Sequence, residues 1–488
     1  MSPNILLIMS DNHSAEMLGC HGNAEVHTPR IDQMAADGLK FNQAYCVNAM
    51  CSPCRASVLT GLLPSQHGIH TWIDDRTPDK IPAGWNAIDE FKTLPEQLKQ
   101  NGYDTALIGK YHLGDARQVK NSFDHWVTFP HGHTVNFWGN TIIENGETYQ
   151  SEGHSVDFFT DKTIDYLEQR QQENSENPFF LFMPLNGPYG HWPCISGQAQ
   201  HRFGHLYDDC PMTSAPREPL AREAIAKVMW QHQNSGHGLD YSALLRMPNN
   251  LETLRNYYSQ MTLVDDSVGR VLDSLDQLNL SEDTLVIYTT DHGFSTGAHG
   301  YWGHGQATWP ANTHAASFHI PIIMHQPGTI PAGQSADPLI SQIDLFPTLL
   351  DFAGCELPEG KSAAKNLRPL IDKGQSADWD NLILMDQEET RAIRTADWLY
   401  MSRFQGNADH PLPNELYDLN ADPDERTNLI DSPEHAKTIV ELQQQLDNCF
   451  DDLADPDWDL WHGGRVKSNS DKPWFWQLAW GENWRPVF

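Results

Sequence analysis

The chain has 488 residues, which is more than one ordinary hydrophobic core accommodates. Its 65 acidic residues outnumber its 32 basic residues and give a formal net charge of −33. A surface this acidic repels nucleic acid and anionic membranes, so neither is expected as a partner. Any anionic ligand must therefore be attracted by a local basic pocket or by a metal ion.

The N-terminus and the cysteines indicate the compartment. No run of about 18 apolar residues is present, and residues 1–4 lead directly into a strand-like segment without the features of a signal peptide. We therefore expect a cytoplasmic enzyme, or a periplasmic one if a leader has been removed. The eight cysteines lack the dense spacing of a disulfide framework, so mostly free thiols are expected.

Apolar runs and helical periodicities alternate along the first three quarters of the chain. The continuous apolar run at 4–10 predicts a strand that is buried on both faces of a parallel sheet. Further strands are predicted at 103–109, 178–184, 284–290 and 321–325, and helices at 28–38, 94–101, 155–170, 251–278 and 343–352. This alternation predicts an α/β fold with a large, mostly parallel sheet flanked by helices on both faces.

Two segments of this region have no clear periodicity. Residues 123–140 are interpreted as a loop near the mouth of the site. The insert at 197–250 is interpreted as a cap, and together with 72–90 these segments are expected to form the walls of a substrate pocket. Asp74, Asp75 and Arg76 could line that pocket or form a solvated turn.

A composition change near Gly374 predicts two domains, a main domain at 1–374 and a smaller α+β subdomain at 375–488. Residues 391–400 and 415–419 are predicted as antiparallel strands, and 433–450 as a covering helix. The tail is rich in aromatic residues, namely Trp474, Phe475, Trp476, Trp480 and Trp484. It could pack on the main domain, join a second copy in a homo-oligomer, or act as a sugar-stacking or gating flap.

Residues 46–61 are the most informative stretch. Cys51 and Cys54 alone would also fit a buried pair, a metal site or a redox couple. However, Pro53 and Arg55 extend them to C-x-P-x-R at the start of an amphipathic run that ends at Gly61. A nucleophile at a helix N-terminus gains from exposed N–H groups, and an arginine one turn later can bind two oxygens of a tetrahedral anion.

Two acidic pairs follow predicted strands that are far apart in sequence. Asp11 and Asn12 follow the first strand, whereas Asp291 and His292 follow the strand at 284–290. Either pair alone could be a capping turn. Open α/β sheets gather ligands at the carboxyl ends of their strands, so together the pairs predict a site for a hard divalent cation.

The pattern at 51–55, continued by Ala56, Ser57, Thr60 and Gly61, resembles the motif of type I sulfatases of the alkaline-phosphatase-like superfamily. In that family the first cysteine is oxidised after synthesis to formylglycine (3-oxoalanine). The resemblance covers nearly the whole chain. It includes Gly109-Lys110-x-His112, Asp291-His292-Gly293, Gly297-x-His299-Gly300 with Trp302, Glu415-Leu-Tyr-Asp-Leu419, Asp422-Pro423-x-Glu425 and Asn428-Leu429.

The resemblance implies roles for individual residues. The implied ligands of one divalent ion, with Ca²⁺ preferred and Mn²⁺ or Mg²⁺ as alternatives, are Asp11, Asn12, Asp291, His292 and the modified Cys51. Arg55 would orient the hydrated aldehyde, and Lys110 and His112 would bind charge on the transferring group and the nucleophile. His191, in the loop 189–193, is the best match for the acid that protonates the leaving alcohol. A formylglycine-generating or sulfatase-maturating enzyme is an implied partner.

In this family one hydroxyl of the aldehyde hydrate attacks sulfur and expels the alcohol. Deprotonation of the second hydroxyl then eliminates sulfate and restores the aldehyde. The chain departs from the common pattern at Trp302-Gly303-His304-Gly305, where His304 replaces a lysine that contacts the leaving group. The Asp-Asn and Asp-His pairs are also unusual, and resemble those of the choline-sulfatase and phosphonate-monoester-hydrolase branches.

The leading hypothesis is a sulfatase that hydrolyses a sulfate monoester of a carbohydrate or small alcohol. The first alternative is a phosphonate monoester or phosphodiester hydrolase that uses the same residues. The second is a catalytically silent binding protein on the same scaffold, against which the intact nucleophile motif and the aspartates argue.

Overall fold

The computed structural model describes residues 2–73, 81–120, 122–192, 200–234, 240–374, 379–404 and 412–468. The strands are β1 (Asn4–Ser10), β2 (Leu39–Phe41), β3 (Ala44–Tyr45), β4 (Asp104–Ile108), β5 (His125–Thr128), β6 (Thr141–Glu144), β7 (Glu147–Gln150), β8 (Phe179–Pro184), β9 (Thr284–Thr290), β10 (Ser295–Thr296), β11 (Trp302–Gly303), β12 (Ile322–His325), β13 (Gln334–Ala336), β14 (Ile340–Ser341), β15 (Leu382–Gln387), β16 (Thr390–Thr395), β17 (Trp398–Arg403) and β18 (Glu415–Asp418).

The helices are α1 (Pro29–Ala36), α2 (Cys51–Thr60), α3 (Pro64–His67), α4 (Leu94–Gln100), α5 (Ser155–Glu173), α6 (Arg222–Asn234), α7 (Leu251–Gln277), α8 (Ala315–Phe318), α9 (Leu345–Phe352), α10 (Arg368–Lys373) and α11 (Ala436–Leu453). Across the described parts of the chain, none of these helices has both the length and the apolar character that crossing a membrane requires.

The main sheet has ten strands in the order β13-β2-β12-β9-β1-β8-β4-β5-β6-β7. Its centre, from β9 to β5, is parallel throughout, and antiparallel pairs occur toward both edges. A second sheet of four antiparallel strands, β15-β16-β17-β18, carries α11 on one face. The predicted α/β class with a mostly parallel central sheet and a smaller α+β unit is confirmed.

Burial explains why β1 is an uninterrupted apolar run. Ile5, Leu7 and Met9 point into one hydrophobic core, which also contains residues of α2, α4 and α9. Leu6 and Ile8 point into the opposite core, which is built from α1, α5 and α7. Because both faces of the strand are covered by helices, neither set of alternate residues can be polar.

The structure corrects two local predictions and adds α6 within the insert, for which no secondary structure was predicted. Residues 125–128, predicted as loop, form β5. Residues 391–400 form two strands, β16 and β17, rather than one. The Thr395 hydroxyl accepts hydrogen bonds from the backbone N–H groups of Asp397 and Trp398, which stabilises the turn between them. The aromatic tail and residues 74–76 lie outside the described residues.

A buried ion pair joins the four-stranded sheet to the main domain. Glu425 accepts hydrogen bonds from Arg394 Nη1 at 2.6 Å and from the Ala315 backbone N–H at 3.0 Å, and its Oε2 lies 3.0 Å from His314 Nδ1. His314 stacks on His299 with ring centroids 3.7 Å apart. His299, His314 and Glu425 are metal-ligand types, but Arg394 and Arg426 already contact the trio, so we interpret it as a structural link.

Replacing Glu425 by glutamine should lower the free energy of unfolding by about 3–5 kcal/mol at neutral pH, because Arg394 remains buried without its counter-charge. Burial opposes ionisation of Glu425, but Arg394 and His314 outweigh burial and hold its pKa below the ordinary value of 4.5. The stabilisation is therefore full above about pH 4.5 and lost as the pH falls through the folded pKa. Urea unfolding of the exposed control Glu434→Gln should match wild type, and an equally stable Glu425→Gln would contradict the prediction.

Candidate active site

Helix α2 places Cys51 at its first position, directly after Met50 in extended conformation. The whole helix is buried, and its Cys51 side chain is 8% exposed. The helix ends at Gly61, whose φ of +72° favours glycine and whose N–H donates to the Ser57 carbonyl. The first-turn N–H groups and the helix dipole therefore favour negative charge near residue 51.

The parallel pairing of β1 and β9 explains why the two acidic pairs meet. Ser10 is directly opposite Thr290, so the residues that follow each strand emerge side by side. The Asn12 N–H donates to Asp291 Oδ1 at 3.2 Å. Cys51 Sγ lies 3.5 Å from His292 Nε2 and 3.9 Å from Asp11 Oδ1. Ligand atoms of Asp11, Cys51, Asp291 and His292 all lie within 4.8 Å of one another.

These residues fit a divalent metal ion. The buried side chain of Asn12 has no hydrogen-bond partner for either Oδ1 or Nδ2 among the described residues. His292 Nδ1 donates to the Gly293 carbonyl at 2.8 Å, which leaves the Nε2 lone pair facing Cys51. Two carboxylates, an amide and an imidazole, with Cys51 Sγ among them, form a donor set for a hard cation.

Two buried cations hold the carboxylates in place. Lys110 Nζ lies 2.5 Å from Asp11 Oδ2 and 3.5 Å from Cys51 Sγ. Arg55 Nη2 contacts Asp291 Oδ2 at 2.8 Å and Asp11 Oδ2 at 3.3 Å, while Nη1 donates to the Lys110 carbonyl at 2.7 Å. Arg55 thus contacts the carboxylates on both strand ends. Burial disfavours ionised Asp291, but His292, Arg55 and Lys110 outweigh burial and lower its pKa.

The unmodified thiol at position 51 is poorly suited to catalysis. Burial raises the pKa of Cys51 well above its ordinary value, and the attraction of Lys110 offsets this only in part. The thiol is therefore protonated near neutral pH, and a protonated thiol is a weak nucleophile.

His191 and His304 adjoin the metal-ligand cluster. The His304 ring lies 5.1 Å from that of His292 and 5.3 Å from that of His191. His191 Nε2 and His304 Nδ1 are buried without hydrogen-bond partners in the described part of the chain. Burial lowers the pKa of His191 to about 3 and lowers that of His304 well below its ordinary value. Both rings are therefore neutral in the ligand-free protein, so His304 does not supply a permanent positive charge.

His112 follows Lys110 by two residues and is buried. Its Nε2 donates to the Ile73 carbonyl at 2.9 Å, and the Ile73 N–H donates to Ser52 Oγ at 3.1 Å. The His112 ring contacts that of His133, with centroids 4.8 Å apart. In the described contacts, His112 is thus connected to the nucleophile helix through Ile73.

Sequence reasoning missed the turn between β15 and β16. Gln387, Glu388 and Glu389 are buried there, and Ala49, two residues before Cys51, donates its N–H to Gln387 Oε1 at 2.8 Å. A run of six polar residues at 386–391, between the apolar residues of two strands, was the available signal. A cleft of about 870 Å³ elsewhere, lined by residues including Glu16, His319 and Arg426, contains none of the predicted site residues.

Two family models and a curated relative together match most of the chain. A family model described as Sulfatase matches residues 3–355, and one described as N-sulphoglucosamine sulphohydrolase, C-terminal, matches residues 312–452. The N-acetylglucosamine-6-O-sulfatase of Bacteroides thetaiotaomicron is 27% identical, over 93% of this chain and 87% of that protein.

Two solved structures show the same fold. One, described as a complex with its substrate D-glucosamine-2-N,6-O-disulfate, has a TM-score of 0.74 at 24% identity and covers 94% of this chain and 99% of that chain. The phosphonate monoester hydrolase of Agrobacterium radiobacter has a TM-score of 0.69 at 21% identity, with 93% and 96% covered.

Proposed function

From the premise that this chain belongs to the sulfatase family and is a sulfuric ester hydrolase of alkaline-phosphatase-like fold, we propose that it cleaves sulfate monoesters of a carbohydrate. The reaction would use formylglycine at position 51 and one divalent metal ion, Ca²⁺ by preference. The observation that carries the proposal is the convergence of Cys51 with Asp11, Asp291 and His292 within 4.8 Å. The carbohydrate is proposed because a relative aligned over 93% of the chain is named as an N-acetylglucosamine-6-O-sulfatase.

The metal would be held by Asp11, Asn12, Asp291, His292 and the modified residue 51. When bound, it supplies positive charge that polarises a sulfate oxygen. Arg55 keeps the two carboxylates aimed at one point, since its guanidinium contacts both. Lys110, 3.5 Å from Cys51 Sγ, orients the nucleophile and offsets negative charge that develops beside it.

Formylglycine would supply two hydroxyls on one carbon once hydrated, which neither cysteine nor serine can do. The positive charge of the metal would favour the ionised form of one hydroxyl, and attack by that oxygen would form an O–S bond and break the bond from sulfur to the alcohol oxygen. That oxygen needs a proton as it leaves, and His191 Nε2 is the available imidazole nitrogen. His304, 5.3 Å from His191 between ring centroids, can hydrogen-bond the same oxygen through Nδ1.

Replacing His191 by glutamine should lower kcat for a sugar sulfate by about 10²- to 10⁴-fold, because an alkoxide then leaves without a proton. An aryl sulfate, whose leaving group is a weaker base, should lose much less. The pKa of His191 is about 3 in the free protein because of burial, and a bound sulfate anion should raise it. Activity on sugar sulfates should therefore fall as rising pH deprotonates His191 in the substrate complex. The His191→Gln variant should not show this fall in activity.

The matched control is His154→Gln, which replaces another buried histidine that accepts a hydrogen bond at the start of α5. The His154→Gln variant should keep the wild-type ratio of kcat on the sugar sulfate to kcat on the aryl sulfate. Equal losses on aryl and sugar sulfates in His191→Gln would contradict the role of His191 as the acid.

The alternative reaction is hydrolysis of phosphonate monoesters or phosphodiesters. It is favoured by the structural likeness to the phosphonate monoester hydrolase and by the Asp-Asn and Asp-His ligand pairs. We expect a higher kcat/KM on 4-nitrophenyl sulfate than on 4-nitrophenyl phenylphosphonate. The opposite order, in protein shown by mass spectrometry to carry formylglycine, would favour the alternative.

We further propose that a formylglycine-generating or sulfatase-maturating enzyme modifies Cys51. Activity and the aldehyde content of the Cys51 peptide should rise together when such an enzyme is co-expressed. A fully active protein with an unmodified Cys51 would contradict the proposal that such an enzyme is required.

A further inference from the structure

Two elements outside the predicted site converge beside residue 51. The first is the turn between β15 and β16. The Asp386 N–H donates to the Val47 carbonyl at 2.8 Å, Asn48 Nδ2 donates to the Asp386 carbonyl at 2.7 Å, and the Ala49 N–H donates to Gln387 Oε1 at 2.8 Å. The turn is therefore held against the segment that leads into the nucleophile helix.

The same turn also contacts the segment that carries His304. Gln306 Nε2 donates to Glu388 Oε1 at 2.9 Å, and the Ala311 N–H donates to Glu389 Oε1 at 2.5 Å. The turn therefore contacts both residues 47–49 and the segment 304–311, and the His304 ring of that segment lies 5.1 Å from the ring of His292. The turn is thus placed next to the leaving-group side of the site.

Two side chains at the turn each have one polar atom that is hydrogen-bonded and a second polar atom that has no hydrogen-bond partner among the described residues. Glu389 Oε1 and Gln387 Oε1 each accept from a backbone N–H, whereas Glu389 Oε2 and Gln387 Nε2 have no hydrogen-bond partner among the described residues. Both side chains are 0% exposed. A buried carboxylate oxygen and amide group without partners are destabilising, which indicates groups kept for a polar ligand.

The second element is α6, which brings a lysine to the same place. The helix packs on residues 305–307, and the Trp309 N–H donates to the Glu223 carbonyl at 3.1 Å. Lys227 is buried on this helix, and Glu388 and Glu389 are the acidic groups that interact electrostatically with it, although burial raises the pKa of both glutamates. A hydrogen-bond donor and two carboxyl groups therefore lie together beside residues 305–307.

We propose that Glu389, Gln387 and Lys227 form a subsite that binds the ring hydroxyls of an uncharged or N-acylated hexose whose sulfate ester lies over residue 51. This inference rests on the proposed function and specifies its substrate class. A hydroxyl group both donates and accepts, so neighbouring hydroxyls match a carboxyl group beside a lysine. Two acidic groups already face one lysine here, so the buried site has no excess positive charge to favour a further anionic group on the ring.

The test compares kcat/KM on two kinds of substrate. One is the best of a panel of uncharged hexose monosulfates, including N-acetylglucosamine 6-sulfate, and the other is 4-nitrophenyl sulfate, which has no ring hydroxyls. The ratio of sugar to aryl kcat/KM should fall by about 10- to 100-fold in Glu389→Gln and in Lys227→Met, because each loses a charge-assisted hydrogen bond to the sugar. The exposed controls Glu434→Gln and Lys361→Met should keep the wild-type ratio.

A ratio within about threefold of wild type in both variants would overturn the subsite. If thermal unfolding shows that Glu389→Gln is not folded, the ratio measured for Lys227→Met alone decides whether the subsite stands. Wild-type enzyme that cleaves the aryl sulfate but no hexose monosulfate would also overturn it. The two sugars N-acetylglucosamine 6-sulfate and glucosamine 2-N,6-O-disulfate test the effect of a second anionic group on the ring. Wild type should have the higher kcat/KM on N-acetylglucosamine 6-sulfate, and the reverse order would overturn the assignment of an uncharged ring.

Failure of the proposed function gives a different result. If wild type hydrolyses neither aryl nor sugar sulfates, sulfoester chemistry is refuted, and binding of free N-acetylglucosamine then tests the subsite by saturation-transfer NMR. Contact of the sugar with wild type that is lost in Lys227→Met supports the subsite. Absence of contact in wild type overturns it.

Discussion

Replacing Cys51 by alanine is expected to abolish sulfate ester hydrolysis, with a loss in kcat on the order of 10⁶-fold, as for other enzymes that lose a covalent nucleophile. Asp11, Lys110 and His292 all contact the side chain of Cys51, so its removal takes away the group that these residues are proposed to orient. Replacing Cys51 by serine should be nearly as damaging, because one hydroxyl cannot both attack sulfur and later eliminate sulfate.

The measurement is steady-state turnover of 4-nitrophenyl sulfate together with the mass of the Cys51 peptide. The matched control is Cys46→Ala, which removes another fully buried thiol from the same segment. It should retain turnover and the modified peptide. Full activity in wild-type protein whose Cys51 remains a thiol would refute the proposed nucleophile.

The second large effect is expected for Asp291→Asn. Loss of this carboxylate removes a ligand from the metal site and also leaves Arg55 with fewer buried counter-charges. A metal that stabilises the transition state by several kcal/mol accounts for a loss of about 10³-fold in kcat/KM when it no longer binds. We therefore expect low metal content as well as low activity in this variant.

Metal content and thermal unfolding test the site independently of turnover. Wild type should contain one divalent ion per chain by elemental analysis, and a chelator should lower its melting temperature, since an ion bound only to the folded state stabilises it. Calcium should then restore the melting temperature of wild type but not of Asp291→Asn. The exposed control Asp283→Asn, at the other end of the same strand, should behave like wild type. Wild type that binds no divalent ion would contradict the assignment.

The structure shows the surroundings of two predicted residues. The Arg55 guanidinium contacts Asp11, Asp291 and the Lys110 carbonyl, and its expected role in orienting the aldehyde hydrate stays a prediction. Burial lowers the pKa of His304, and its role as a titratable substitute for a lysine stays a prediction as well. In both cases desolvation and the choice of buried partner determine the chemistry, and neither can be obtained from residue spacing.

The amino-acid sequence by itself determined the central strands, the nucleophile helix and the two acidic strand ends. Their signals are local, because a strand buried on both faces must be apolar throughout, as β1 is, and polar ligands must then follow its carboxyl end. Only the tertiary structure decided which distant segments pack beside the segments 47–49 and 304–311. Gln387 and Glu389 lie at the turn between β15 and β16, and Lys227 lies on α6, in an insert whose sequence has weak periodicity. Long-range packing against residues 47–49 and 304–311 positions them, and the chain contains no local signal for contacts across such separations.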